Sequence, residues 1–135
     1  MDLFGTAGIR GPVDRVTPEL VASVGRAAAR HAGEGATFVV GRDGRTTGRA
    51  LADAAAAGLQ SGGAAVRRVG VLPTPALAAA SRERRGAMLT ASHNPPDDNG
   101  VKLFVDGVEY DRDAERTVEE RVDEGRPPAD WDEGG

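Results

Sequence analysis

Ser92 is the residue in this chain best placed to take part in chemistry. It stands in the run Thr90-Ala91-Ser92-His93-Asn94-Pro95, beside one of the two histidines in 135 residues. An apolar stretch ends just before it, and Pro95 and Pro96 stop the chain from continuing as helix or central strand. A serine held on a stiff turn past a strand suits a group that must be presented to a substrate. Its hydroxyl can carry a group covalently and so split one difficult transfer into two easier ones. His93 carries an imidazole, a group fit to shuttle a proton or to bond a polar ligand.

Two familiar chemistries do not fit these residues. A serine hydrolase of the elbow type needs a Gly-x-Ser-x-Gly turn, which the chain lacks, and a base that comes from elsewhere in the fold rather than from the next residue. The run Gly41-Arg42-Asp43-Gly44-Arg45-Thr46-Thr47 is superficially like a phosphate-cradling P-loop, but it has neither the lysine nor the spacing. Arg42 and Arg45 then read in two ways, as phosphate contacts or as packing of the turn around Asp43, and the second is the commoner use of such residues.

Five elements, in order along residues 4–104, carry a resemblance to a known family. They are Phe4-Gly5-Thr6-Ala7-Gly8-Ile9-Arg10-Gly11, Val40-Gly41-Arg42-Asp43-Gly44-Arg45, Pro73-Thr74-Pro75-Ala76, the serine run itself, and Asn99-Gly100-Val101-Lys102-Leu103-Phe104. Together they resemble the N-terminal domain of the α-D-phosphohexomutases, the phosphoglucomutase/phosphomannomutase/phosphoglucosamine mutase family. The resemblance implies an intramolecular phosphotransferase that interconverts hexose 6-phosphate and hexose 1-phosphate. Ser92 would carry the phosphoryl group, and a hexose bisphosphate would be intermediate and activator.

The resemblance also distributes roles. Arg10 and Lys102, the only lysine, would lie beside the transferring phosphoryl group. Arg10 offers a bidentate fork to phosphate oxygens, and Lys102 stabilises charge or acts as acid or base. His93 would move a proton or bond the sugar, and Asn94 would contact the sugar or fix the loop. Mg²⁺ would be bound through a phosphoserine oxygen on Ser92 and through carboxylates of a following domain, since oxygen ligands suit that hard ion. Such enzymes have four domains, and only the first is matched here. The chain alone is expected to be catalytically incomplete, with the other domains as its partners. The alternative is a non-catalytic module that binds sugar phosphate or a partner. The motifs do not separate glucose, mannose and glucosamine phosphates.

The elements that must position these residues follow from local pattern. Thr17 and Pro18 read as the N-cap and first position of a helix, continued by Leu20, Val21, Val24, Ala27, Ala28 and His31 at helical spacing and ended by Gly33. His31 there reads as a dipole or surface residue. Residues 37–40 read as a strand, 47–61 as an alanine-rich helix, 65–72 as a strand, 76–84 as a helix and 86–89 as a strand. Residues 101–105 form a fourth strand, with Asp106-Gly107 as a hairpin turn into Val108-Glu109-Tyr110, and 111–124 a charged helix. Residues 1–12 read as an irregular glycine-rich loop. The alternation predicts a three-layer α/β/α sandwich with a mixed, mostly parallel sheet of about four strands. Ligands of open α/β sheets sit at the carboxyl ends of strands, where both the Arg42–Arg45 turn and the serine loop fall. Residues 1–124 are read as the domain and 125–135 as a linker toward a second one.

Composition narrows the rest. The net charge is −4 with no basic block, which argues against a nucleic-acid partner. With no cysteine, disulfides and cysteine-based metal sites are excluded. No signal peptide or apolar run of membrane-spanning length is seen, so a cytoplasmic protein is expected.

Overall fold

The structure is a computed structural model and describes residues 8–12, 14–45, 47–90 and 98–124. The expected linker at 125–135 and the run Ser92-His93-Asn94 lie outside the described residues.

The first helix forms where its cap and stripe predict it. In α1 (Pro18–Ala32) the Thr17 hydroxyl accepts from the Leu20 N–H at 3.2 Å, and Gly33 closes the helix at φ 95°. That conformation favours glycine. Strand β2 (Thr37–Arg42) follows, then α2 (Gly48–Ser61), β3 (Ala65–Val71), α3 (Thr74–Ala80) and β4 (Arg85–Leu89). The chain resumes in β5 (Asp98–Val105), turns through Asp106 and Gly107 into β6 (Val108–Glu109), and ends in α4 (Arg112–Glu124). Before α1 lies a short strand, β1 (Ile9–Pro12).

The sheet has the order β1-β5-β4-β2-β3, with β6 paired to β5. Strands β2, β3 and β4 are parallel, as expected for strands joined by helices. Strand β5 is antiparallel to both β4 and β1. Helices α1, α2 and α4 bury their stripes against Phe38, Val40, Ala87, Leu89, Val101 and Leu103 on one face. Leu77 of α3 packs with Val39, Met88 and Phe104 on the other. The three-layer mixed sandwich therefore holds.

The sheet has six strands, not about four, and the difference has a local cause. β1 falls in the stretch read as irregular. Glycine-rich sequence has little strand propensity, and β1 is held by pairing with β5, with Ile9 opposite Val101 and Arg10 opposite Gly100. β6 is only two residues long. The third helix is also shifted, to Thr74–Ala80. Pro75 falls in its first turn, where its missing N–H costs nothing. Ser81 ends it by donating to the Ala78 carbonyl at 2.7 Å and accepting from the Gly107 N–H at 2.9 Å. Glu83 then turns the chain at φ 62°.

Candidate functional site

The turn after β2 is built around Asp43. Its N–H donates to the Leu89 carbonyl at 3.1 Å, which carries the β2–β4 pairing one bond past the strand ends. One carboxylate oxygen accepts from the Arg45 N–H at 3.1 Å. The other accepts from Arg45 Nε at 3.0 Å and from the Thr90 hydroxyl at 2.7 Å. Arg42 donates through Nη1 to the Asp43 carbonyl at 3.3 Å. Arg42 and Arg45 thus fold onto the turn itself, the packing use that their spacing allowed.

The next residues reach the other end of the same region. Thr47 donates its hydroxyl to the Asn99 side-chain oxygen. Asn99, 3% exposed, donates through Nδ2 to the Val16 carbonyl at 2.9 Å. Thr90 and Gly100 are joined directly, the Thr90 N–H donating to the Gly100 carbonyl at 2.9 Å. Asp43, Arg45, Thr47, Leu89, Thr90 and Asn99 form one packed cluster here. It lies at the carboxyl ends of β2 and β4, where open α/β sheets place their ligands.

Two of the expected site residues are described, and they share a sheet face. Arg10 is exposed on β1 opposite Gly100. Lys102 is half-buried on β5 opposite Met88. Directly paired residues point to one face, and so do residues two apart on a strand. Arg10 and Lys102 are therefore diagonal neighbours on the face that α3 covers farther along the sheet. Two glycines make this approach possible. A Cβ on Gly8, at φ +80°, would lie 2.5 Å from the Val101 carbonyl oxygen and 2.9 Å from Lys102 Cγ. A Cβ on Gly100 would lie 2.3 Å from the Thr90 carbonyl oxygen and 2.8 Å from that of Ile9.

Ser92, His93 and Asn94 follow Thr90 in sequence but lie outside the described residues. Among the described residues no group of three or more histidine, cysteine or acidic side chains could hold a metal ion. No helix among them is long and apolar enough to cross a membrane. Pattern reading paired Asp43 with its neighbouring arginines but missed Thr90 and Asn99. Both contacts join residues far apart in sequence, and nothing local to either residue marks them.

At the other end of the sheet a second cluster is structural. His31, in the last turn of α1, meets the Tyr110 ring edge-on at 5.9 Å. Arg85 lies over that ring with its guanidinium carbon 5.6 Å from the centroid and donates to the Tyr110 hydroxyl at 2.8 Å. Burial, and then the positive charges of Arg85 and Arg121, hold His31 below its ordinary pKa. Burial raises Tyr110, against the opposing pull of Arg85.

These features define a class, an α/β/α domain that gathers cations and a hydrogen-bonded turn at the carboxyl edge of its sheet. Comparison with known proteins gives the family. Residues 1–128 match the model for phosphoglucomutase/phosphomannomutase, alpha/beta/alpha domain I. A phosphopentomutase of Thermococcus kodakarensis is 49% identical over 138 residues, covering 98% of this chain and 30% of that protein. A phosphoglucosamine mutase of Saccharopolyspora erythraea is 49% identical over 132 residues, covering 90% of this chain and 30% of its own length. The crystal structure of a phosphoglucomutase/phosphomannomutase family protein from Burkholderia thailandensis superposes with a TM-score of 0.81 at 33% identity, over 92% of this chain and 30% of that one. The chain belongs to the α-D-phosphohexomutase family, as its N-terminal domain. It spans about 30% of the length of these relatives.

Proposed function

We propose that this chain is the first domain of a phosphohexomutase that interconverts hexose 6-phosphate and hexose 1-phosphate, with Ser92 as the phosphoryl carrier. The observation that carries the reading is the match of residues 1–128 to domain I of that family. The placing of Arg10 and Lys102 as neighbours on one sheet face supports it, because a transferring phosphoryl group needs cations converging on its oxygens. In the forward half-reaction a sugar hydroxyl attacks the phosphorus of phosphoserine. A new bond from the sugar oxygen to phosphorus forms, the bond to Ser92 Oγ breaks, His93 takes the hydroxyl proton, and the Lys102 ammonium gives a proton to the departing Oγ. The bisphosphate then turns over and returns its other phosphoryl group to Ser92. Arg10, His93, Asn94 and Lys102 would hold the substrate.

Mg²⁺ is expected only in part from this chain. The described residues alone do not form a cation site, and Asp43, the carboxylate in the turn after β2, is already engaged by Arg45 and Thr90. Ser92 would supply one oxygen ligand to the ion.

One observation favours a second substrate class. The Thermococcus relative, 49% identical, is named a phosphopentomutase, so a pentose phosphate stands beside the hexose phosphates. The test is turnover of the protein purified at full length from its native source, offered hexose 1-phosphates and a pentose 1-phosphate in turn, with fragmentation mass spectrometry of the resting protein. A phosphoryl group on Ser92 and loss of nearly all turnover in Ser92→Ala are expected. An unmodified Ser92 in a protein that only binds sugar phosphate would replace the mutase reading by a binding module.

A further inference from the structure

One short segment, the β2–α2 turn, reaches both strand ends that bound the serine run. Asp43 takes the Thr90 hydroxyl at 2.7 Å at the end of β4. Thr47 donates its hydroxyl to the Asn99 side-chain oxygen at the start of β5. Asp43 is itself held by the Arg45 side chain at 3.0 Å and main chain at 3.1 Å, so the carboxylate that receives Thr90 cannot swing freely. Thr90 is 5% exposed, and a hydroxyl bonded to a carboxylate in such a place is among the stronger side-chain hydrogen bonds.

From this geometry we infer that Asp43 is a positioning residue for the phosphoryl carrier. It acts through Thr90, two residues before Ser92, and sets where the chain leaves β4. The inference rests on the phosphoserine reading above. It assigns the glycine-flanked Arg42–Arg45 turn a task other than touching phosphate. A misplacement of about 1 Å at the reacting oxygen can cost about a hundredfold in rate. A turn that fixes the strand end therefore affects the transfer step more than substrate capture, which depends on the cations of β1 and β5.

The test uses the full-length protein with Thr90→Val, which keeps the shape and removes the hydroxyl, and Thr90→Ser, which restores it. Thr90→Val is expected to lower kcat by about ten- to hundredfold, the scale of a misplacement of up to about 1 Å at the reacting oxygen. KM should stay within about threefold, since an interaction made mainly in the transition state moves kcat alone. Thr90→Ser should recover most of kcat, and Asp43→Ala, which removes the acceptor, should fall at least as far as Thr90→Val. A Thr90→Val protein that melts earlier but turns over like wild type, or a Thr90→Ser protein no better than Thr90→Val, would overturn the inference. A wild-type protein with no turnover on any sugar phosphate would instead remove the mutase reading on which it stands.

Discussion

At the scale of single residues the two described cations are not equivalent. Arg10 is exposed and lies on an edge strand, whereas Lys102 is half-buried on β5 between β1 and β4. Arg10 can fork onto two phosphate oxygens; Lys102 is a compact point charge on a flexible stem. If both neutralise the transferring group, Arg10→Ala and Lys102→Ala should each lower kcat/KM by about a hundredfold, on the scale of about 3 kcal/mol for one lost charge-stabilising contact. Arg10→Lys should recover little, because the fork is lost. A loss below about tenfold in either alanine variant would demote that residue to a structural part. The glycines between them are a stricter matter. Gly100→Ala would set a Cβ 2.3 Å from the Thr90 carbonyl oxygen, so the β4–β5 contact must open and turnover should fall even where the protein still folds. The cations were legible in the sequence only through family resemblance, since a lone lysine and a lone arginine carry no pattern of their own. The bonds of Asp43 to Thr90 and of Asn99 to Val16 were not legible, because hydrogen bonds across 47 and 83 positions leave no local trace.

At the scale of elements, the alanine-rich helix does something other than its composition suggests. Its small residues read as packing on the sheet, and Ala55 and Leu59 do face the core. The closest approach, however, is to α1. A Cβ on Gly58 would lie 2.1 Å from the Ala22 carbonyl oxygen, and one on Gly25 would lie 2.9 Å from that of Ala55. The two glycines let the helix backbones touch. Gly58→Ala therefore sets two effects against each other. Helix propensity favours alanine by about 0.5–1 kcal/mol, while overpacking a fitted contact costs about 1–3 kcal/mol. The blocking atom is backbone, which cannot rotate away, so the clash wins. Chemical denaturation of the chain should show Gly58→Ala less stable than wild type by about 1 kcal/mol or more; a more stable variant would mean that α1 and α2 can separate at little cost. Helices with a cap, a periodic stripe and a glycine stop were legible because those signals are local. β1 was not, because its strand character comes from β5 rather than from its own residues.

At the scale of the whole molecule, the proposed function gives the domain a chemical end and a structural end, joined by β4. Thr90 marks the first. Arg85, five residues earlier and therefore about 16 Å away along an extended strand, marks the second, where it meets Tyr110. Among the described residues, the groups with shifted titration belong to the structural side. His31 is held below its ordinary 6.5 by burial and by Arg85 and Arg121, with Asp111 opposing. The unfolded chain therefore takes up that proton first, and stability declines as pH falls through 6.5 until the folded imidazole protonates as well. Glu115 moves the other way. Burial, then Glu109, raises its carboxyl above its ordinary 4.5, with Arg112 opposing and Glu119 adding to the rise. The folded state keeps that proton longer, so stability is lost as pH rises from 4.5 through the raised value. The two slopes oppose each other in mildly acidic solution, and single variants separate them. The stability of wild type minus that of His31→Gln should be larger at pH 8 than at pH 5. The same difference for Glu115→Gln should be larger at pH 4 than at pH 7. Both are read by denaturant titration across pH. Because His31 lies at the far end of β4 from Thr90, His31→Gln should leave the pH profile of kcat unchanged. A kcat profile that moves with His31 would mean that the two ends are coupled through the strand, and the division of the molecule into a chemical and a structural end would have to be abandoned.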